Sequence, residues 1–187
     1  MLTMVNISKL KLTLLEQEIL RTLNKKAGTT LNARNLSNLV SVSQPAISKS
    51  LPKLEKLDLI TVRKDKLSGR LSIELNRDNQ KVIGLKRVDN LKQIYDSDFV
   101  YYLYDLFPGS TIILFGSYSH GEDTILSDID IAIIGTKEKI LDLANFEKLL
   151  ERKIIINFYK DFKSINAHLL NNILNGIVIR GSIELWQ

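Results

Sequence analysis

The string TIILFGSYSHGEDTILSDIDIAII, residues 111 to 134, restricts what this chain can fold into more than any other stretch. An apolar run from Thr111 to Phe115 reads as a buried strand. It breaks at Gly116-Ser117, and a second strand opens with Asp128-Ile129-Asp130-Ile131. Side chains alternate along a strand, so Asp128 and Asp130 share a face, about 7 Å apart. Two carboxylates so placed repel each other unless a cation lies between them, and a hard oxygen site of this kind suits Mg²⁺. A Gly-Ser break after a buried strand lets backbone N–H groups approach an anion closely. An amide cradle facing a carboxylate pair is a layout for a metal-complexed triphosphate.

Any single Gly-Ser or Asp-x-Asp pair is common, and an isolated Asp-x-Asp is more often a turn or a solvated strand end. The two together, each with its flanking strand, resemble the signature of the DNA polymerase β nucleotidyltransferase superfamily, in particular its minimal nucleotidyltransferase branch. The resemblance implies that Asp128 and Asp130 are the catalytic, metal-binding carboxylates, that Gly116, Ser117 and His120 face the nucleotide, and that the cofactor is Mg²⁺. Two departures stand out. A strand expected over Lys153 to Tyr159, KIIINFY, is where that family usually carries a third carboxylate, and none is present. Asn157 is the nearest polar substitute as a metal ligand, although an amide neither carries charge nor accepts a proton as a base. Asp161 follows the strand and reaches in only if the chain bends. His120 also occupies a place where the family often has Arg, and neutral imidazole is the weaker phosphate clamp.

The first part of the chain follows another pattern. Thr13-Leu-Leu-Glu16 is a capping box opening a helix with Leu15, Ile19 and Leu23 on one face. A second short helix is expected from Asn32 to Val40, burying Leu36 and Leu39. Ser43 caps a third, with Pro45 in its first turn and Pro52 inside it, where a kink is expected. Leu59–Arg63 and Arg70–Glu74 alternate like strands around a hairpin. Helix, helix, helix and basic hairpin resemble a winged helix-turn-helix, although Asp58 stands where Gly commonly precedes the wing. That resemblance implies DNA as partner, with Gln44, Ser48 and Lys49 as candidate base readers. Lys53, Lys56, Arg63, Lys64, Lys66 and Arg70 would contact phosphates. A solvated basic face or a protein-docking winged helix are the plainer alternatives.

Charge sides with nucleic acid. The net charge is +5, but residues 1–80 hold 14 Lys and Arg against 7 Asp and Glu, while residues 81–187 hold 12 against 14. The basic excess belongs to the first part. The expected fold class is therefore α+β in two domains: a winged helix-turn-helix over 1–80, a helical connector over 81–106, and a nucleotidyltransferase-like mixed-sheet α/β domain over 107–187. Tyr95, Phe99, Tyr101, Tyr102 and Tyr104 are expected to pack the connector against the core or a second subunit. Another helix is expected from Lys137 to Glu151. With no Cys, disulfides and thiolate metal sites are excluded. No apolar run reaches the ~20 residues of a membrane span, and the start lacks the apolar core of a signal peptide, so a cytoplasmic chain is expected.

Two functions fit these residues. One is a DNA-binding regulator whose second domain binds Mg-nucleotide with weak or lost catalysis. The other is an active transferase moving a nucleotide from a nucleoside triphosphate to a protein or nucleic-acid hydroxyl. The family resemblance adds a HEPN-type partner protein, as in toxin-antitoxin pairs, and a homodimer is a further expectation.

Overall fold

The computed structural model describes residues 11–65 and 69–184. Contacts divide the chain into two units: Thr29–Asn76 with the residues up to Asn24, and Arg77 onward with Lys25–Gly28. The fold class is α+β, as expected, with a separate sheet in each unit. Among the described residues no helix is long and apolar enough to cross a membrane.

In the first unit the capping box forms as read. Thr13 N donates to Glu16 Oε2 (2.7 Å) and Glu16 N to Thr13 Oγ1 (3.3 Å), which starts α1, Leu14–Lys25. Asn32 caps α2, Ala33–Val40, by accepting from Asn35 N at 2.8 Å. The buried stripe of α2 differs from expectation. Leu36 is fully buried but Leu39 is 50% exposed, and Ser37 takes the second inward position with its hydroxyl donating to Arg34 O. Ser43 caps α3, Gln44–Lys56, and the helix continues through Pro52 to Lys56. Strands β1, Ile60–Lys64, and β2, Leu71–Leu75, pair antiparallel from Ile60↔Leu75 to Lys64↔Leu71, and Leu31 bridges Ile73. Asp58 holds a left-handed φ of 58° where Gly is usual; its carbonyl and carboxylate oxygens both accept from Asn76 Nδ2 (3.1 and 2.8 Å), which secures the turn.

In the second unit the helical stretch before the motif is two helices, α4, Gln80–Asp96, and α5, Phe99–Leu106, separated at Asp98, whose φ is 62°. Strands β3 (Thr111–Phe115), β4 (Ile129–Ile134), β5 (Ile154–Tyr159) and β6 (Ile177–Arg180) form one mixed sheet in the order β5-β4-β3-β6, with β4 and β5 parallel and the other pairs antiparallel. Among the described residues three short α-helices lie between the strands. A five-residue α6, Gly116–His120, follows β3 directly. The helix expected from Lys137 to Glu151 is only α7, Ala144–Leu150. Residues 137–143 instead run as an irregular segment in which Ile140 is fully exposed; Lys139 donates to Leu106 O at 3.0 Å and sits over the Phe107 ring.

Alternation sorts the strand side chains onto two faces. Ile112, Leu114, Ile129, Ile131 and Ile133 meet Ile94, Phe99 and Leu103 of α4 and α5 on one face, with Tyr95, Tyr102 and Tyr104 packed around them. Ile113, Phe115, Ala132 and Ile134 meet Ile173 of α8, Ala167–Leu174, on the other.

Candidate functional site

The β3–β4 register brings the two motifs together. Phe115, the last residue of β3, lies opposite Asp130, so the Gly116-Ser117 turn starts beside that carboxylate. Gly116 has φ 72°, and a Cβ built on it would lie 2.5 Å from Asp130 Oδ2. Only a residue without a side chain allows this approach. Ser117 is half-buried in the first turn of α6, and His120 is half-buried in its last.

Asp128 precedes β4 and is exposed; Asp130, the second residue of the strand, is half-buried. Burial pushes the Asp130 carboxyl above the usual aspartate range, and the neighbouring Asp128 charge adds to the rise. Such a pair gains from a cation that both carboxylates can reach. Among the described residues no group of three or more His, Cys, Asp or Glu is placed to hold a metal.

The β4–β5 register decides what stands in the third position. Parallel pairing sets Asp130 level with Ile155 and Ala132 level with Asn157. Asn157 does lie on the Asp130 face, but one full pleat repeat further along, about 7 Å by the rise of a strand. Ile155 is the side chain next to Asp130. Asp161 sits past the opposite end of β5, where its carboxylate accepts from Ser164 N (2.8 Å) and caps a 3-10 turn, Phe162–Ser164. Sequence alternation identifies the face of Ile155 but not its neighbour across the sheet, so its place became visible only with the register.

The candidate DNA-reading residues lie in the first unit. Gln44, Ser48 and Lys49 are exposed along the start of α3, and Lys56 is exposed near its end. Lys53 has protein partners: its ammonium donates to Glu16 Oε2 at 2.7 Å and to Lys11 O, tying α3 to the start of α1, while its side chain stays 42% exposed. Burial alone would raise the Glu16 carboxyl, but Lys53 and the Thr13 N–H bring it below the usual range. Arg63 is 76% exposed and 3.5 Å from Glu74 across the hairpin; Lys64 and Arg70 are exposed. Lys66 lies outside the described residues.

Residues 97–184 match the family model described as "Nucleotidyltransferase domain". No curated protein sequence matches the chain. Among solved structures, the crystal structure of the adhesin competence repressor of Streptococcus pyogenes shares 21% identity, covering 52% of this chain and 69% of that one, with a TM-score of 0.40. That superposition is too loose to argue from.

Proposed function

We propose that this chain is a DNA-binding regulator whose second unit holds a Mg-nucleoside triphosphate and transfers its nucleotidyl group, with release of pyrophosphate, slowly or not at all. The observation that carries the reading is the register Asp130↔Ile155, which places an apolar side chain beside the Asp-x-Asp pair on the neighbouring strand. Asp128 and Asp130 are suited to hold one Mg²⁺, and the Gly116 and Ser117 amides to receive the outer phosphates. Bound there, Mg²⁺ would offset part of the triphosphate's negative charge and orient it. Activating an attacking hydroxyl calls for a further charged ligand or a base, and neither Ile155 nor Asn157 supplies one. An active transferase is the second reading, favoured by the close approach of Gly116 to Asp130 and by the family match over residues 97–184.

Calorimetry with Mg-ATP and a transfer assay with labelled ATP test both readings. The expected outcome is saturable binding by the wild type, lost in Asp128→Ala/Asp130→Ala, with little transfer. Ile155→Asp should then raise transfer above the wild type, since it places a third carboxylate level with Asp130. Robust wild-type transfer would establish the second reading. Absence of Mg-ATP binding would remove both.

A further inference from the structure

Helix α4 ends before the family match begins at residue 97, yet it carries the polar side chains that grip the loop between the two halves of the site. Lys86, with no exposed surface, forms an ion pair with the carboxylate of Asp123, itself 1% exposed. One turn further on, Asn90 Nδ2 donates to Asp123 Oδ1 at 2.7 Å and to Tyr118 O at 2.9 Å, and the Tyr118 hydroxyl donates back to Asn90 O at 3.4 Å. Arg152 completes the cluster: Nη2 lies 3.5 Å from Asp123 Oδ2 and donates to Lys25 O at 2.7 Å. Gly121, between Tyr118 and Asp123, lies so close to α4 that a Cβ there would fall against Ile83 O and Arg87 N.

The loop gripped in this way has a definite place. Tyr118 belongs to α6, which begins at Gly116, and Asp123 leads through Thr124–Ser127 to Asp128 and Asp130. A buried ion pair is poor evidence for stability, because apolar packing of the same volume does as well or better. Its advantage is that directional bonds select one arrangement where apolar contacts tolerate several. Asn90 bonds to both ends of the segment Tyr118–Asp123, so a shift of either end breaks a bond to a buried group.

We propose that Asn90 and Lys86 are positioning residues of the nucleotide site, holding the Gly116-Ser117 amides and the Asp128/Asp130 carboxylates at the separation that one metal-bound triphosphate spans. This rests on the reading of the site as a Mg-nucleotide site. The probes are Mn²⁺ alone, which needs only the carboxylates, and Mn-ATP, which needs both halves; free Mn²⁺ is followed by electron paramagnetic resonance. The variants are Asn90→Ala and the double change Lys86→Met/Asp123→Asn, which removes one charge of each sign and keeps an acceptor for Asn90, with thermal melts to check folding. In a folded variant, affinity for Mn²⁺ alone should stay within about twofold, while affinity for Mn-ATP should fall roughly 10- to 100-fold, the scale of a misplacement of about 1 Å. Equal loss for both probes, or no loss for either, would overturn the inference and leave the nucleotide reading intact. A wild type that binds Mn²⁺ but not Mn-ATP would overturn both. Should Asn90→Ala fail to fold, the double variant carries the test for Lys86, and Asn90→Leu, which donates to neither Asp123 nor Tyr118, carries it for Asn90.

Discussion

Replacing Gly116 by Ala should damage the second unit in two separable ways. The residue adopts φ 72°, and an L side chain in the left-handed region costs about 1–2 kcal/mol. The new Cβ would also lie 2.5 Å from Asp130 Oδ2, inside any real contact, while Asp130 Cβ at 3.5 Å is an ordinary neighbour. The carboxylate must therefore swing away. Gly109→Ala supplies the control, because Gly109 has φ 80° and a Cβ added there would meet nothing within 4 Å. Gly109→Ala should lower Tm by roughly 2–8 °C, the backbone cost alone at 2–4 °C per kcal/mol. Gly116→Ala should lose more than this and should also lose Mg-ATP binding. In an Asp130→Ala background the extra loss should vanish, leaving only the backbone cost, so the double-mutant cycle by thermal or urea melts should show a coupling of about 0.5–3 kcal/mol. Additive losses within ~0.3 kcal/mol, or a Gly116→Ala loss no larger than that of Gly109→Ala, would refute the argument that this glycine is there for the carboxylate.

Asp130 carries a pH prediction. Its carboxyl is raised in the folded state, so between the ordinary aspartate range and the folded value the native protein holds the extra proton, and stability falls as pH rises through that window. Asp130→Asn should accordingly melt higher than the wild type at neutral pH without metal, with the gain shrinking as pH falls through the raised folded value and gone below about pH 4, the ordinary aspartate range; an equal or lower melting point at neutral pH would contradict it. Mg²⁺ affinity should begin to fall at a higher pH than an ordinary aspartate would give, and a titration flat down to the usual carboxylate range would count against Asp130 as a ligand. In the first unit Lys53→Met should lower Tm, because Glu16 would be left buried without its cation, whereas Lys64→Ala should leave Tm within ~1 °C and weaken duplex DNA binding at all sequences alike. With Lys53 engaged, neutralisation of about five phosphates gives a slope of log K against log salt of about −4.5 in gel retardation. Salt-independent binding would defeat that reading.

What could be read without coordinates was local. The Thr13–Glu16 box, the Ser43 cap and the two wing strands depend on residues a few places apart, and each forms. The neighbourhood of Gly116 and Asp130 followed from two strands whose patterns are strong. What stayed hidden required partners far apart in the chain. Lys53 at helical spacing with Lys49 and Lys56 resembles a solvated face, and only the fold sets it on Glu16. Lys86, Asn90 and Asp123 show no local pattern at all, because their meaning lies in pairs more than thirty residues apart. Period-two alternation assigns Ile155 and Asn157 to one face but says nothing about the register with β4. The helix expected from Lys137 to Glu151 erred in the other direction: only Ala144–Leu150 is helical, and Ile140 before it is fully exposed, with no packing to hold a longer helix.

The order β5-β4-β3-β6 also sets a timetable for synthesis. Strand β3 lies inside the sheet, and its outer edge pairs with Ile177–Arg180, emerging from the ribosome long after β3 itself. At about 5–20 residues per second, some seconds pass in which that edge of β3 is an unpaired apolar ribbon, a template for misplaced strands. Tyr104 and Arg180 would mark the end of that interval: the Tyr104 hydroxyl donates to Ile179 O at 2.8 Å, and Arg180 donates to Tyr104 O at 2.8 Å while lying over its ring. Those bonds join one of the first helices of the second unit to its last strand, so the early part of the unit waits on the late part to be closed.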